Sequence, residues 1–397
     1  MRYAAISKRV GGLGSTKWAI HHKARALARA GEAVIELTVG EPDLPPDPVL
    51  YTAMDKALAA GRTGYSNGRG EQPLLDALAR RYSKRSGRPV APDNICCFPG
   101  TQTALFAVML TLVESGDAVL VGDPLYATYE GIICATGARM QPVRLAADNG
   151  FHMTAEQLEA AITPDCRAVL LNTPHNPTGA VLSAAEIVAI GAVAKRHDLW
   201  IIADEVYEEL IFAGQFASPL DFADLAERTV VTSSISKSHA APGFRSGWCV
   251  GPVEFCDRLL PVAETMLFGN QPFIADATAE ALEHPSGVSV KLRAAFARRA
   301  ALLGRRLSGL PGLSCFMPEA GMFMVIDVSA TGLDGEAFAH QLLDVERVAV
   351  MPGASFGLEA DGFIRVSLTV PDEMLEEAAD RIARFSGTFL ADQRAAG

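Results

Sequence analysis

The segment Ser234-Ile-Ser236-Lys237 puts a lysine beside two hydroxyl groups, and Gly243 and Arg245 follow it. It comes directly after an apolar stretch. Lysine forms Schiff bases with carbonyl compounds once burial or neighbouring charges lower its pKa, and arginine binds phosphate through a planar fork. The segment therefore indicates an amine nucleophile next to a phosphate site, although taken alone it also fits a solvated loop.

Two more candidates occupy the same position relative to an apolar stretch. Asp204 follows Leu199–Ala203 and precedes Tyr207 by three residues. A carboxylate at the end of a buried strand can hold a heterocyclic nitrogen protonated, although an aspartate there also fits a helix N-cap. Asn176 lies between two prolines in the stretch 172–179. The restricted backbone there either presents the Asn176 amide to a ligand or forms a plain surface turn.

A fourth candidate is Gly100-Thr101-Gln102, which opens the apolar helix pattern Thr103–Val113. Free backbone N–H groups and the helix dipole at such a start favour phosphate binding. Helix starts of this kind are common, so the signal is weak by itself. Together, the four candidates each follow a strand-like stretch and supply different parts of one cofactor site.

The elements that must position these residues alternate short β-rich stretches with helical patterns. Such alternation is typical of a mainly parallel sheet covered by helices, and Ser183–His197 has the length and periodicity of a crossover helix. Ligands of these sheets bind at the strand ends. The sequence thus predicts an α/β domain whose strands include residues 118–121, 167–171, 200–203, 229–232 and 247–250.

The pattern changes after about residue 285. A long basic helix passes through Arg293, Arg298 and Arg299. Short strand patterns follow between further helices, which indicates a smaller α+β domain. These strand patterns cover residues 322–328, 348–351 and 364–368.

The N-terminal segment has a helix pattern at residues 18–30 and an extended stretch at 34–39. Neither has a strand partner nearby in sequence, so we expect the segment to pack on the smaller domain. Its Gly11-Gly-Leu-Gly14 lacks the preceding strand of a dinucleotide-binding loop and is interpreted as a turn. The predicted division is an N-terminal segment at residues 1–45, a large domain at 46–285 and a small domain at 286–397.

Composition argues against several classes of partner. The chain of 397 residues carries 35 lysines and arginines against 46 acids, a net charge of −11, without a basic cluster. Nucleic acid and anionic membranes are therefore not expected partners. The 7 cysteines are an odd number and form no CxxC pair, which argues against a disulfide framework and a zinc ribbon. No apolar stretch is long enough to span a bilayer, and no signal-peptide core follows the basic start, so we expect a cytoplasmic protein.

In this order and spacing, the motifs resemble the class I and II aminotransferases of pyridoxal-phosphate (PLP) fold type I. The resemblance runs from about Trp18 to the last helix. It implies an α/β large domain with a mainly parallel seven-stranded sheet, plus a smaller α+β domain. Two stretches, Ser236–His239 and Trp18–His21, are similar to arginine–pyruvate transaminases. The matching residues are Thr38–Asp43, Tyr65, Gly100–Gln102, Asp123–Tyr126, Asn176–Gly179, Asp204–Tyr207, Ser234–Lys237, Gly243–Arg245 and Ile364–Arg365.

The resemblance implies a role for each candidate around the cofactor ring. Lys237 would bind PLP covalently and, once the amino acid frees it, carry the proton between the substrate Cα and the cofactor. Asp204 would pair with the ring nitrogen. Tyr207 and Asn176 would hydrogen-bond the ring hydroxyl, and Tyr126 would stack on the ring face. Lys237, Asp204 and Tyr207 are the catalytic candidates of this set.

The resemblance also implies the phosphate and substrate contacts. The phosphate would be bound within one subunit by Gly100, Thr101, Gln102, Ser234, Ser236 and Arg245. Tyr65 would reach the phosphate of the neighbouring subunit, which implies a homodimer with composite active sites. The substrate-binding residues would be Arg365, which clamps the α-carboxylate, together with Asn176, the Gly40 backbone and Trp18.

The charge of the substrate side chain is inferred from the cations that the sequence lacks at two positions. Aspartate-specialised relatives hold the distal carboxylate with a cation, but no Lys or Arg occurs between Arg258 and Lys291, and the phosphate turn carries Gln102. An unpaired buried charge is costly. The stretch Glu264–Asn270, which the resemblance assigns to the partner subunit's loop, offers an acid, an aromatic ring and an amide instead, although Glu264 equally fits a solvated helix residue. We therefore expect a basic or neutral L-amino acid as donor, with pyruvate or 2-oxoglutarate as acceptor in a ping-pong transamination.

Three alternatives stay open at this point. The same site can support a C–S lyase or a decarboxylase, because the fold does not fix which bond breaks. An aspartate aminotransferase is the second alternative. A PLP-sensing regulator is the third, but the acidic charge and the absence of a DNA-binding extension ahead of the aminotransferase region argue against it.

Overall fold

The computed structural model describes residues 1–11, 13, 16–267 and 269–395. The predicted turn at Gly11–Gly14 therefore lies partly outside the described residues. Within these ranges no helix is long and apolar enough to cross a membrane. The α-helices are α1 (Ala5–Arg9), α2 (Ala19–Arg29), α3 (Pro48–Ala59), α4 (Gln72–Ser86), α5 (Thr101–Leu112), α6 (Tyr129–Thr136), α7 (Ala155–Ala161), α8 (Ala184–Arg196), α9 (Ile235–Ser238), α10 (Val253–Met266), α11 (Pro272–Leu282), α12 (Gly287–Leu307), α13 (Gly335–Glu346) and α14 (Asp372–Ala395).

The strands form two sheets. They are β1 (Ile35–Leu37), β2 (Ile95–Phe98), β3 (Ala118–Asp123), β4 (Arg139–Arg144), β5 (Cys166–Asn172), β6 (Trp200–Asp204), β7 (Thr229–Ser234), β8 (Gly247–Val250), β9 (Ser314–Phe316), β10 (Phe323–Asp327), β11 (Val348–Pro352) and β12 (Phe363–Ser367).

The larger sheet has seven strands in the order β2-β8-β7-β6-β5-β3-β4. The pairings from β7 through β6, β5 and β3 to β4 are parallel, and β8 is antiparallel to both β7 and β2. Strands β2, β3, β7 and β8 are buried along their whole length, as expected for a sheet covered on both faces. The predicted mainly parallel seven-stranded sheet is confirmed.

Two of these strands, β2 and β4, are not among the stretches that the sequence pattern identified. Strand β4 is an edge strand of the sheet, buries only Val143 and contains Pro142. An edge strand needs hydrogen bonds on one side only, so it tolerates proline and charged residues. Its sequence pattern therefore resembles that of a loop. Strand β2 has only four residues and pairs with β8 alone.

The crossover helix between β5 and β6 shows how local sequence sets an element. Ser183 Oγ accepts a hydrogen bond from the Glu186 backbone N–H at 3.3 Å, and Glu186 Oε2 accepts one from the Ser183 N–H at 2.7 Å. This reciprocal cap satisfies two N–H groups that the first turn leaves unpaired. Lys195 and Arg196 lie in the last turn, where the helix dipole favours cations. Helix α8 therefore begins and ends close to the predicted range.

The smaller sheet has five strands in the order β1-β11-β12-β10-β9. Its strand β1 comes from the N-terminal segment and pairs in parallel with β11, from Ile35 opposite Val348 to Leu37 opposite Val350. The other pairings are antiparallel. Helices α12, α13 and α14 pack their apolar residues against this sheet in one hydrophobic core. The residue bounds of the three proposed chain divisions stay a prediction.

Candidate active site

A cavity of about 380 Å³ lies where the central strands of the larger sheet end. Asn172, Asp204 and Ser234 line it, and they are the last residues of β5, β6 and β7. Because these neighbouring strands are parallel, their carboxyl ends meet at one edge of the sheet. The smaller sheet contributes Phe323 and Arg365 from β10 and β12. The predicted site residues that line the cavity are Trp18, Gly40, Thr101, Gln102, Tyr126, Asn176, Asp204, Tyr207, Ser234, Ser236, Lys237, Arg245 and Arg365.

Lys237 lies in α9, the single turn that follows β7. Ser234 caps this turn, because its hydroxyl accepts a hydrogen bond from the Ser236 N–H. The Lys237 Nζ donates a hydrogen bond of 2.6 Å to the Gly40 carbonyl. Burial lowers the pKa of Lys237 to about 8; Arg365 and Arg245 act in the same direction, and Glu41 and Asp204 oppose them. A minority of this amine is therefore uncharged at pH 7 and the fraction grows towards pH 8, far more than for an ordinary lysine, as a nucleophile or proton carrier requires.

Asp204 is held from two sides at the end of β6. Its Oδ2 accepts a hydrogen bond of 2.7 Å from Tyr129 Oη, and its Oδ1 accepts one of 3.3 Å from the Val206 N–H. Burial raises the pKa of Asp204 to about 6, and these two hydrogen bonds oppose the rise. The residues after it form turns rather than a helix, so Asp204 is not a helix N-cap. The carboxylate is mostly ionised above pH 7 and can neutralise a cationic ring nitrogen.

The other end of the cavity suits a phosphate group. A Cβ at Gly100, where φ is +88°, would lie 2.2 Å from Arg245 Nη2, so only glycine lets the guanidinium come this close. Arg245 Nη1 donates to the Pro242 carbonyl at 2.7 Å, which fixes its position. Among the described residues, the buried Thr101 Oγ1 at the start of α5 has no hydrogen-bond partner. An unsatisfied hydroxyl, a helix N-terminus and an arginine together fit a phosphate.

Arg365 is enclosed by aromatic rings and polar partners. Its guanidinium carbon lies 3.8 Å from the ring centre of Phe323 and 4.4 Å from that of Phe356. Nη1 donates to Asn176 Oδ1 at 3.1 Å, and Nη2 donates to the Thr38 carbonyl at 2.5 Å. Burial lowers the pKa of Arg365 to about 10, so it stays cationic at neutral pH. Its Nε, also buried, has no partner within the described ranges. This arrangement can hold a carboxylate.

Three polar side chains complete the inner wall. The Asn176 N–H donates to Asn172 Oδ1 at 2.8 Å, which ties the loop after β5 to the strand end. Burial raises the pKa of Tyr207, and a hydrogen bond with Asn176 opposes the rise. Tyr126 packs edge-on against Tyr129, with ring centres 5.4 Å apart. Asn176, Tyr207 and Tyr126 therefore offer two polar groups and a flat ring to a ligand in the cavity.

Several predicted residues lie elsewhere. Tyr65 is 93% exposed and lines a separate depression that also includes Gly269. Gly100 touches Arg245 but is not part of the cavity wall. Glu264 is exposed and lies beside Gly68 of its own subunit, outside this cavity. In the predicted partner-loop stretch, residue 268 lies outside the described residues.

The cavity also contains residues that sequence reasoning missed, among them Tyr129, Glu41 and Phe323. Tyr129 lies three residues after Tyr126, but nothing in the sequence shows that its hydroxyl meets Asp204. Glu41 stands inside the matched motif Thr38–Asp43, yet the sequence does not reveal that it faces the ligand space. No cluster of residues suited to a metal ion occurs in the described part of the chain.

Comparison with known proteins agrees with this geometry. Residues 32–382 match the family model of aminotransferase class I and II. The arginine–pyruvate transaminase of Pseudomonas aeruginosa is 43% identical over 391 residues, which covers 98% of this chain and 99% of that protein. The aspartate/prephenate aminotransferase of Cereibacter sphaeroides is 34% identical and covers 92% of this chain and 94% of its own length.

Solved structures show the same relationship. A double mutant of the Thermus thermophilus aspartate aminotransferase superposes with a TM-score of 0.91 at 32% identity, covering 97% of this chain and 100% of that one. The aspartate aminotransferase of Rhizobium meliloti gives a TM-score of 0.92 at 30% identity and covers 98% and 99% of the two chains. The sequence match and the shared fold together show that this chain belongs to the class I and II aminotransferases, which are PLP-dependent enzymes.

Proposed function

We propose that this aminotransferase moves the α-amino group of a basic L-amino acid, arginine or a close analogue, to a 2-oxo acid such as pyruvate. The main support for the proposal is the set of residues that line one cavity. It joins Lys237, an amine of lowered pKa, with the buried carboxylate of Asp204 and two arginines, Arg245 and Arg365. The Pseudomonas aeruginosa protein that is 43% identical to this chain is named arginine–pyruvate transaminase.

The residues of this chain divide the work between cofactor and substrate. Bound PLP supplies an aldehyde for the amino group and a ring that accepts electrons from the substrate Cα. We assign the ring nitrogen to Asp204, the ring hydroxyl to Tyr207 and Asn176, and the ring face to Tyr126. The phosphate contacts are assigned to Gly100, Thr101, Gln102, Ser234, Ser236 and Arg245.

Two residues act on the amino acid itself. Arg365 binds its α-carboxylate together with Asn176 and the Gly40 backbone, and this fixes the direction in which the Cα–H bond points. Lys237 Nζ would take the proton from the substrate Cα and hold it for its return. Its lowered pKa keeps part of the amine free to accept that proton near neutral pH.

The charges around the cavity favour a cationic side chain over an acidic one. Its lining residues include two acids, Asp204 and Glu41, and of these Glu41 is the exposed one. The lining cations are Lys237, Arg245 and Arg365, and each already has a role. A distal guanidinium would meet Glu41, whereas a distal carboxylate would find no spare cation among the described lining residues. We therefore assign the side-chain end of the donor to Glu41.

Trp18 supplies a second contact for the same group. Trp18 lines the cavity and packs against the small apolar cluster of Ala127, Met351 and Phe356. A planar guanidinium stacks favourably on an indole face. Glu41 and Trp18 together would thus provide charge and a flat apolar surface for the donor side chain.

The half-reaction without acceptor tests the substrate proposal. The visible absorption of the purified holoenzyme is followed while arginine, alanine or aspartate is added. We expect arginine to bleach the cofactor band fastest, and pyruvate to restore it at least as well as 2-oxoglutarate. A faster reaction with aspartate would contradict the proposal and favour an aspartate aminotransferase. Pyruvate release without an acceptor would favour a lyase, and release of CO₂ a decarboxylase.

Substitution of Glu41 tests the side-chain assignment. In Glu41→Gln we expect kcat/KM for arginine to fall about tenfold, because a charged hydrogen-bonded pair is lost. The value for alanine should fall less than the value for arginine, and a change common to both donors reflects the influence of Glu41 on the pKa of Lys237. Glu264→Gln is the matched control, since Glu264 is the acid that the sequence suggested for the partner's contribution. If only Glu264→Gln loses the preference for arginine, the assignment to Glu41 is wrong, and the donor side chain binds at the subunit interface instead.

A homodimer with composite active sites is part of the proposal. The family resemblance, in which Tyr65 would reach the phosphate of the neighbouring subunit, supports it, and Tyr65 lies on the surface, where it lines the depression at Gly269. Light scattering of the purified holoenzyme should give twice the mass of one chain, and a monomeric mass would contradict it. We also propose a cytoplasmic location, which cell fractionation can test.

A further inference from the structure

We infer that Tyr129 is a positioning residue for the cofactor site: its hydroxyl orients the Asp204 carboxylate and keeps it ionised for the ring nitrogen. The inference rests on the assignment of that nitrogen to Asp204 made above. Tyr129 itself would not touch the reacting atoms, since it acts through Asp204.

The geometry of the contact is that of a strong hydrogen bond. Tyr129 is the first residue of α6 and is 1% exposed, and Asp204 is 4% exposed. Their oxygens are 2.7 Å apart, at the upper end of the range for a hydroxyl donating to a carboxylate. The other donor to Asp204, the Val206 N–H, is at 3.3 Å. Tyr129 is therefore the closer of the two donors that the described residues provide.

The electrostatic surroundings give this bond a function. Burial raises the pKa of Asp204, and the bond from Tyr129 is the largest influence against that rise. The other ionisable groups that interact with Asp204 are Tyr126, Tyr207 and Lys237. Burial also raises the pKa of Tyr129, so its hydroxyl keeps its proton and can only donate to the carboxylate at neutral pH.

The ring of Tyr129 has a separate contact, the edge-on packing against Tyr126 with an interplanar angle of 85°. Removing only the hydroxyl leaves that packing in place. Tyr129→Phe thus separates the hydrogen bond from the support of the stacking ring. A matched control exists in Tyr82, which is fully buried and whose hydroxyl accepts a hydrogen bond of 2.8 Å from Trp248 Nε1, outside the cavity.

The experiment measures PLP affinity rather than turnover. Apoenzyme of the parent, Tyr129→Phe and Tyr82→Phe is titrated with PLP between pH 6 and 9, and the melting temperature of each apoenzyme is recorded. We expect Tyr129→Phe to bind PLP roughly 10-fold or more weakly at pH 7, as for loss of a hydrogen bond to a charged group. Tyr82→Phe should stay within about twofold of the parent.

The pH dependence separates positioning from a structural effect. PLP binding needs the ionised carboxylate, so affinity falls as the pH drops through the pKa of Asp204. Without the Tyr129 hydroxyl that pKa is higher, and the fall should begin at a higher pH in Tyr129→Phe only. An unchanged affinity and profile in Tyr129→Phe would overturn the inference, and so would equal losses in both tyrosine variants.

The double variant identifies the partner. If Tyr129 acts through Asp204, adding Tyr129→Phe to Asp204→Asn should not weaken PLP binding further, because the neutral amide needs no such support. Additive losses would overturn the inference while leaving the role of Asp204 intact. An unchanged PLP affinity in Asp204→Asn alone would instead overturn the assignment of the ring nitrogen, and with it the inference.

Discussion

The two ends of the cavity are built in different ways. The end assigned to the cofactor is formed by neighbouring strand ends of one sheet, and its polar residues Asp204, Ser234 and Ser236 are buried. The end assigned to the substrate joins the smaller sheet to the N-terminal segment, and it includes the exposed residues Val39 and Glu41. The closed end can therefore fix the chemistry, while the open end can admit different side chains.

The difference also appears in how each end is held. At the cofactor end, strand register places Asn172 directly opposite Asp204. At the other end, Arg365 depends on partners from remote parts of the chain, namely the Thr38 carbonyl and Asn176. A substitution at the first end should thus affect the reaction with every donor. A substitution at the second should separate substrate binding from cofactor binding.

The largest expected effect is at the cofactor end. Lys237→Ala should lower the transamination rate by roughly 10³-fold or more, because the proton carrier and the covalent anchor are lost together. Steady-state rates with several donors measure this, and circular dichroism should show an unchanged fold. Lys195→Ala, which removes an exposed lysine paired with Asp224, should keep the parental rate. A near-parental rate in Lys237→Ala would contradict the assignment of the chemistry to the cofactor end of the cavity.

A smaller effect is expected at the substrate end, where a substitution should weaken the use of the amino acid but not the binding of PLP. Arg365→Gln should reduce kcat/KM for every amino acid by roughly 30- to 1000-fold, since a buried charge pair with the α-carboxylate is lost. PLP affinity should stay within about threefold. Arg299→Gln is the control: this buried arginine pairs with Asp43 and Asp372 outside the cavity and should cost stability rather than affinity. Equal loss of PLP binding in Arg365→Gln would show that the two ends are not separable.

The smallest expected effect concerns stability. The pKa of Asp204 in the folded chain, about 6, lies above its ordinary value of 3.8. A raised carboxyl pKa lowers stability as the pH rises from about 4 to 6, and the loss persists above pH 6. Asp204→Asn should therefore raise the melting temperature of the apoenzyme by roughly 2–4 °C at pH 8, but not at pH 4.

The control for this stability effect is Asp224→Asn, whose exposed carboxylate has a pKa lowered by a hydrogen bond from Lys195. That change should produce no rise in melting temperature at either pH. A lower melting temperature of Asp204→Asn apoenzyme at pH 8 would show that its hydrogen bonds outweigh the cost of burying the charge.

The sequence predicted the central strands, the crossover helix α8 and the residues that follow each strand. These follow from short-range regularities: apolar stretches, capping residues and turn-forming prolines. Strand β4 was not predicted, because edge strands lack the continuous apolar pattern of buried strands. Arg365 could be proposed only through the family resemblance, since a single arginine in an apolar strand has no local signal of function. The contribution of Tyr65 to a partner's site is still a prediction.

By itself, the sequence determined the alternating strands and helices, the family, and the strand-end positions of Asp204 and Lys237, because periodicity and local sterics act over a few residues. The tertiary structure decided which groups meet there. Tyr129 donates to Asp204 across 75 positions, and Arg365 to Asn176 across 189. The lowered pKa of Lys237 and the raised pKa of Asp204 likewise come first from burial. Burial depends on the packing of distant segments, which no local pattern encodes.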